Sequence, residues 1–138
     1  MITYKEVKEV KGKKMSKKIL IIDDVVFNIE FEANLLQSLM DELEIKMQID
    51  TATCVKEAVE LIAKNDYHAM IIDMNLPDGS GVDIAKAAQK KNPSTYLAGI
   101  TIFPDAYEDV HEHFDLFLKK PIVLETYKEN FSRLLQID

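Results

Sequence analysis

A chain of 138 residues fits one domain around one core, and with 47% hydrophobic and 30% charged residues it is too apolar to be disordered. The net charge of −7 is uneven: residues 1–18 hold seven lysines and two glutamates, so the remaining 120 carry about −12, which argues against a nucleic-acid-binding body. The single cysteine, Cys54, permits no intramolecular disulfide, no apolar run approaches the roughly 18 residues of a membrane span, and the charged N-terminus lacks a secretory signal, so a cytoplasmic protein is expected.

Residues 1–16 read as a basic extension or tail, with Met15-Ser-Lys-Lys as an alternative start, and residues 17–138 as the domain. Lys18–Ile22 (KILII) is a continuous apolar run and predicts a strand covered on both faces. Asn28–Leu43 carries Ile29, Phe31, Leu35, Leu36, Leu39 and Met40 at helical spacing. Ile45–Thr51 alternates and predicts an edge strand. Lys56–Asn65 predicts a helix with Thr53 or Cys54 near its cap. His68–Asp73 is a second buried strand, Leu76–Gly81 (LPDGSG) a turn, Val82–Lys91 a helix and Thr95–Ile100 a strand. Pro104–His113 predicts a short, weak helix, Asp115–Leu118 a last strand, and Ile122–Leu135 a closing helix with Leu124, Tyr127, Phe131, Leu134 and Leu135 on one face. Five β-α alternations imply a doubly wound α/β fold, a parallel sheet with helices on both faces.

Sheets of this kind bind ligands where the strands end at their carboxyl termini. The polar residues gather there. The first strand ends in Asp23-Asp24, the third in Asp73 and the fourth in Thr101, and the fifth runs into Lys119-Lys120-Pro121. Crowded carboxylates resist ionisation without a cation among them, and an oxygen-only cluster suits Mg²⁺. Such a set matches phosphoryl transfer, with a carboxylate as nucleophile. Asp73 is the candidate acceptor, Asp23 and Asp24 the metal ligands, Lys120 the cation on the phosphoryl oxygens and Thr101 a hydrogen-bond donor to one of them.

These segments resemble the receiver domains of two-component response regulators. The likeness rests on KILIIDD at 18–24, Asn28, Ala52, Glu57-Ala58, IIDMNLPDGSG at 71–81 with Pro77 and Gly81, Thr101, and FLKKP at 117–121, and it covers about residues 17–138. It implies a flavodoxin-like five-stranded sheet in the order 2-1-3-4-5. It also implies phosphorylation of Asp73, with Mg²⁺ held by Asp23, Asp24, Asp73 and the backbone carbonyl of Asn75. Thr101 would move toward the phosphoryl group and Phe117 would sit at the aromatic switch position. The expected partners are a histidine kinase or phosphotransfer protein and a downstream protein, with no direct nucleic-acid contact and no membrane insertion. The protein would act alone, as a monomer or a phosphorylation-dependent dimer, and would catalyse only its own phosphorylation and dephosphorylation.

Two features depart from that family pattern. Ile102 follows Thr101 where Ala or Gly is usual, which narrows access to the site. The Thr101–Lys120 interval is short and Pro104 interrupts it, so the fourth helix is expected to be irregular. Competing readings are a Mg²⁺-dependent phosphohydrolase with an aspartyl nucleophile, and a receiver-like module that is never phosphorylated. The first lacks an acid/base carboxyl at Asn75, and the intact acidic set argues against the second. Gly79-Ser80-Gly81 fails as a dinucleotide loop because Ile84 stands at its third glycine position. His111 and His113, two apart, share no helix face and read as solvated surface.

Overall fold

The computed structural model describes residues 17–135. The basic extension expected at 1–16 lies outside them. The element order is β1 (Lys17–Ile22), α1 (Val26–Leu43), β2 (Met47–Ala52), α2 (Val55–Lys64), β3 (Ala69–Asp73), β4 (Asn75–Leu76), β5 (Gly79–Ser80), α3 (Gly81–Lys91), β6 (Tyr96–Thr101), a 3-10 segment (Pro104–His113), β7 (Leu116–Lys119) and α4 (Tyr127–Leu134). Five strands form one parallel sheet in the order β2-β1-β3-β6-β7, and β4 and β5 pair separately as a two-residue antiparallel ribbon. In chain order the main sheet is therefore 2-1-3-4-5, as expected, with Ile45–Thr51 realised as edge strand β2.

The continuous apolar strands are explained by cover on both faces. Ile19, Ile21 and Ile71 pack with Leu36, Leu39, Met40, Phe131 and Leu134 of α1 and α4. Leu20, Ile22, Met70 and Ile72 pack with Ala58, Ile62, Ile84 and Ala88 of α2 and α3 on the other side. Successive strand residues thus serve opposite cores.

Helix ends have local causes. α1 closes on Glu44, which takes the left-handed conformation (φ 59°, ψ 42°) and donates its N–H back to Asp41 and Met40. Cys54 sits at the α2 N-cap, and its side chain caps none of the helix N–H groups. The orphan N–H groups of Val55 and Lys56 donate instead to Asp78 Oδ1 and Oδ2, at 2.7 and 3.0 Å, across the β4–β5 turn. Ser80 caps α3 in a reciprocal box with Asp83.

The closing helix is shorter than expected. It begins at Tyr127, not Ile122, and Leu124 is exposed rather than on the packed face. Pro121 offers no N–H, and Ile122, Val123 and Thr126 are β-branched and lose rotamer freedom in a helix. The segment turns instead, with Thr126 N–H donating to Val123 O at 3.1 Å. The fourth helical region is irregular, as its proline and length imply. Pro104–His113 is 3-10, broken by a non-helical Tyr107, and buries none of its residues.

Candidate functional site

The sheet brings the strand-end residues together at its switch point. β1 pairs with both β2 and β3, so Asp23, just after β1, and Asp73, the last residue of β3, lie side by side where the strand order reverses. Both are buried, while Asp24 is exposed. Asp23 is fixed by its own N–H donating to Ala52 O at 3.1 Å and by accepting from Val25 N–H at 2.9 Å. Asn28, one turn into α1, donates from Nδ2 to Asp23 Oδ2 at 3.3 Å. Asp73 Oδ1 accepts from Asn75 N–H at 3.2 Å. Gly81 lets the start of α3 lie close against the end of β3, since a Cβ there would stand 2.8 Å from the Asp73 carbonyl oxygen.

Lys120 joins the two carboxylates. Its Nζ lies 2.9 Å from Asp23 Oδ2 and 3.4 Å from Asp73 Oδ2. Its neighbour Lys119 is exposed. Burial pushes the Asp73 carboxyl up to about 6; the Asn75 N–H opposes this, Asp23's charge adds to it, and Lys120 also opposes it. Burial works against the Lys120 charge too, but its hydrogen bond to Asp23 and the charges of both carboxylates outweigh it and hold the ammonium above its ordinary range.

One oxygen from each of Asp23, Asp24 and Asp73 falls within 4.8 Å of the others. This oxygen-only donor set fits a hard divalent cation.

Thr101 is buried at the end of β6, and its Oγ1 accepts from Phe103 N–H at 3.2 Å. The Lys120 N–H donates to the Thr101 carbonyl at 2.8 Å, which ties the two strand ends. Phe117 is half-buried on β7 and lies over Gly99 of the neighbouring strand, where a Cβ would meet its ring at 2.5 Å. Phe114 meets it edge-on at 5.4 Å and His111 at 4.0 Å between centroids. His111 is therefore a half-buried packing partner of the ring, not the solvated residue expected.

Three residues near the site escaped the sequence reading. Tyr107 of the 3-10 segment donates its hydroxyl to Asn75 Oδ1, beside Asp73. Asp78 caps α2. Glu32 of α1 is buried, and its Oε1 has no hydrogen-bond partner. Burial pushes its carboxyl up to about 8, with Asp23 and Asp73 raising it further and Lys120 lowering it. Glu32 had a signal, because it falls three after Ile29 and four before Leu36 on the apolar stripe.

The response regulator receiver domain family matches residues 19–131. The chain belongs to that family. It is 35% identical over 98 residues to the response regulator PilR of Pseudomonas aeruginosa, covering 67% of this chain and 22% of that protein. It is 25% identical over 109 residues to the aerobic respiration control sensor ArcB of Escherichia coli, covering 75% of this chain and 13% of that one. The chain thus spans less than a quarter of either relative's length. Among solved structures it resembles TrrA of Thermotoga maritima, solved with Mg²⁺-BeF, at TM-score 0.63 and 28% identity over 86% of this chain and 98% of that one. The fold is also that of the chemotaxis regulator CheY4 of Vibrio cholerae, at TM-score 0.68 and 20% identity, covering 87% and 99%. This receiver domain therefore shares the flavodoxin-like doubly wound sheet of chemotaxis-type regulators and is homologous to proteins of two-component signalling.

Proposed function

We propose that this receiver domain accepts a phosphoryl group on Asp73 and passes the signal on through protein contacts. The observation that carries the reading is the Lys120 ammonium set against both Asp23 and Asp73, with an Asp24 oxygen close by. The Asp73 carboxylate would attack phosphorus, forming a new O–P bond as the donor's N–P bond breaks. The departing histidine nitrogen keeps the bonding pair and takes a proton. Lys120 would then follow the transferred oxygens, and Thr101 would turn its hydroxyl from Phe103 N–H toward them. Asp23, Asp24, Asp73 and the Asn75 carbonyl would hold Mg²⁺, which supplies charge neutralisation on the phosphoryl oxygens.

The phosphodonor is a histidine kinase or a phosphotransfer protein, and the recipient of the signal a further protein. Val26 and Phe27 at the start of α1, Ile102 and Phe103 just after β6, and Leu124 before α4 are exposed and suit protein docking. Among the described residues no helix is long and apolar enough to cross a membrane, and a cytoplasmic protein, monomeric or dimerising on phosphorylation, accords with the single cysteine and acidic body. Turnover is confined to the protein's own phosphorylation and dephosphorylation. A hydrolase reading gains no support, since the residue two after Asp73 is an amide engaged by Tyr107.

Incubation with acetyl phosphate and Mg²⁺, followed by intact mass, tests the proposal. One phosphoryl group is expected on the wild type and none on Asp73→Asn. No mass gain from any small-molecule donor or from a kinase would overturn it.

A further inference from the structure

Beside the acidic site lies a groove that shares Lys120 with it but is otherwise lined by residues that hold no phosphoryl oxygen or metal. It has a volume of about 440 Å³, within the range of small-molecule sites. Phe27, Phe31, Ile102, Pro121 and Ile122 form its apolar lining. The Phe27 and Phe31 rings lie nearly parallel, 7° apart in plane with centroids 6.4 Å apart, and make one continuous wall.

The polar groups in this lining are unequal. Lys120 Nζ is committed to Asp23 and Asp73, and Asn28 Nδ2 donates to Asp23. Glu32 is different: it lines the groove, is only 3% exposed, and leaves Oε1 unpartnered. A buried carboxyl oxygen without a donor is rare in folded proteins and marks a place where a donor is wanted. The surroundings also select the donor's charge. Asp23 and Asp73 lie near enough to act on Glu32, their one ammonium is already shared between them, and the chain as a whole is acidic. An anion would be repelled, whereas a cation would gain from all three carboxyls.

We propose that this groove binds a small apolar ammonium compound, an aryl- or alkylamine, with its hydrocarbon on the Phe27–Phe31 wall and its ammonium donating to Glu32. Burial holds the Glu32 carboxyl neutral near pH 7. An arriving ammonium displaces that proton, and the resulting ion pair is made in an apolar enclosure, where it is strongest. The site is read without reference to phosphorylation of Asp73 and stands or falls separately from it.

Calorimetric titration of the full chain with 2-phenylethylamine, 2-phenylethanol and 3-phenylpropanoate, with no phosphodonor present, tests the proposal. The three share a hydrocarbon and differ in charge. The amine is expected to bind at least about tenfold more tightly than the alcohol, and the carboxylate not to bind. Glu32→Gln is expected to remove that tenfold preference and leave alcohol binding unchanged. Amide shift mapping on the wild type is expected to centre on Phe27, Glu32, Ile102 and Ile122, which keeps the test independent of how the variant folds. Equal binding of the three compounds, an unchanged amine preference in Glu32→Gln, shifts centred elsewhere, or no binding at about 10 mM amine would each overturn it.

Discussion

Replacing Glu32 by Gln is expected to change how the stability of this domain responds to pH. The Glu32 carboxyl rises from 4.5 in the unfolded chain to about 8 in the folded one, with burial as the main cause. Between those values the folded state binds more protons, so its stability falls as pH rises through the window and levels off above about 8. At 1.36 kcal/mol per pKa unit, the loss is under ~1 kcal/mol at pH 5 and reaches ~3 kcal/mol at pH 7. Gln carries the same shape without the titration. Any fixed cost of its buried amide is independent of pH, and the raised Asp73 is common to both proteins, so the difference between them isolates Glu32.

Urea unfolding of both proteins at pH 5, 6, 7 and 8 measures this. The variant is expected to gain on the wild type by ~2–3 kcal/mol between pH 5 and 7, a large share of a small domain's total stability. Two stability curves that run parallel across that range would refute the reasoning. They would mean that Glu32 finds a partner, or water, in solution.

Lys120→Met leaves two buried carboxylates without their cation; phosphorylation from acetyl phosphate is expected to slow by about 10²-fold while Mg²⁺ binds more tightly by calorimetry, because the competing ammonium is gone. Gly99→Ala drives a Cβ to 2.5 Å from the Phe117 ring, so the ring must move; a loss of ~1–3 kcal/mol in urea unfolding is expected, with shifted ring signals of Phe117 and His111. Glu44→Gly relieves a left-handed non-glycine at the end of α1 and is expected to add ~1 kcal/mol in the same assay. Ile102→Ala opens the approach to Asp73, and both phosphorylation and loss of the phosphoryl group are expected to quicken; unchanged phosphoryl lifetimes would show that Ile102 does not gate the site.

The sheet was legible because burial on two faces leaves a plain mark. KILII and HAMIID lose the alternation that a half-exposed strand keeps, and β2, at the edge, retains it. The acidic residues were legible because the topology puts strand ends together, so five separate motifs became one site without any knowledge of side-chain packing. The missed residues act across distance or break a pattern. Asp78 caps a helix more than twenty residues away. Glu32 interrupts an apolar stripe, and reading Phe31 into that stripe rotated the helix face by one residue. The closing helix was drawn too long because Leu124 fits its period, while the β-branched run before Tyr127 carries the opposing preference.

The same contrast separates the chemistry of this domain from its output. Asp23, Asp73 and Thr101 are held by strands that are almost wholly buried, so their positions are set by the core, and Lys120, after the half-buried edge strand β7, is tied to them by its N–H to Thr101 O and its ammonium to Asp23. The 3-10 segment has no such anchor, since it buries no residue of its own and contains a break at Tyr107. What fixes it is a small set of contacts, some with residues that border the site and one from Gln89 of α3, whose Nε2 donates to His113 O at 3.1 Å. Tyr107 reaches Asn75, and His111 lies on Phe117 while its Nε2 meets Pro104 O at 3.3 Å. A segment held by few contacts opens at low free-energy cost. A change of charge at Asp73 acts first on Asn75, whose N–H the carboxylate engages, and on Thr101 through Lys120. Asn75 is where Tyr107 is attached, and the strand of Thr101 is where Phe117 rests. Two of the tethers of the least anchored segment thus end on residues beside the groups that a phosphoryl group on Asp73 would disturb. On the proposed function, the readout would then lie in the 3-10 segment rather than in the sheet.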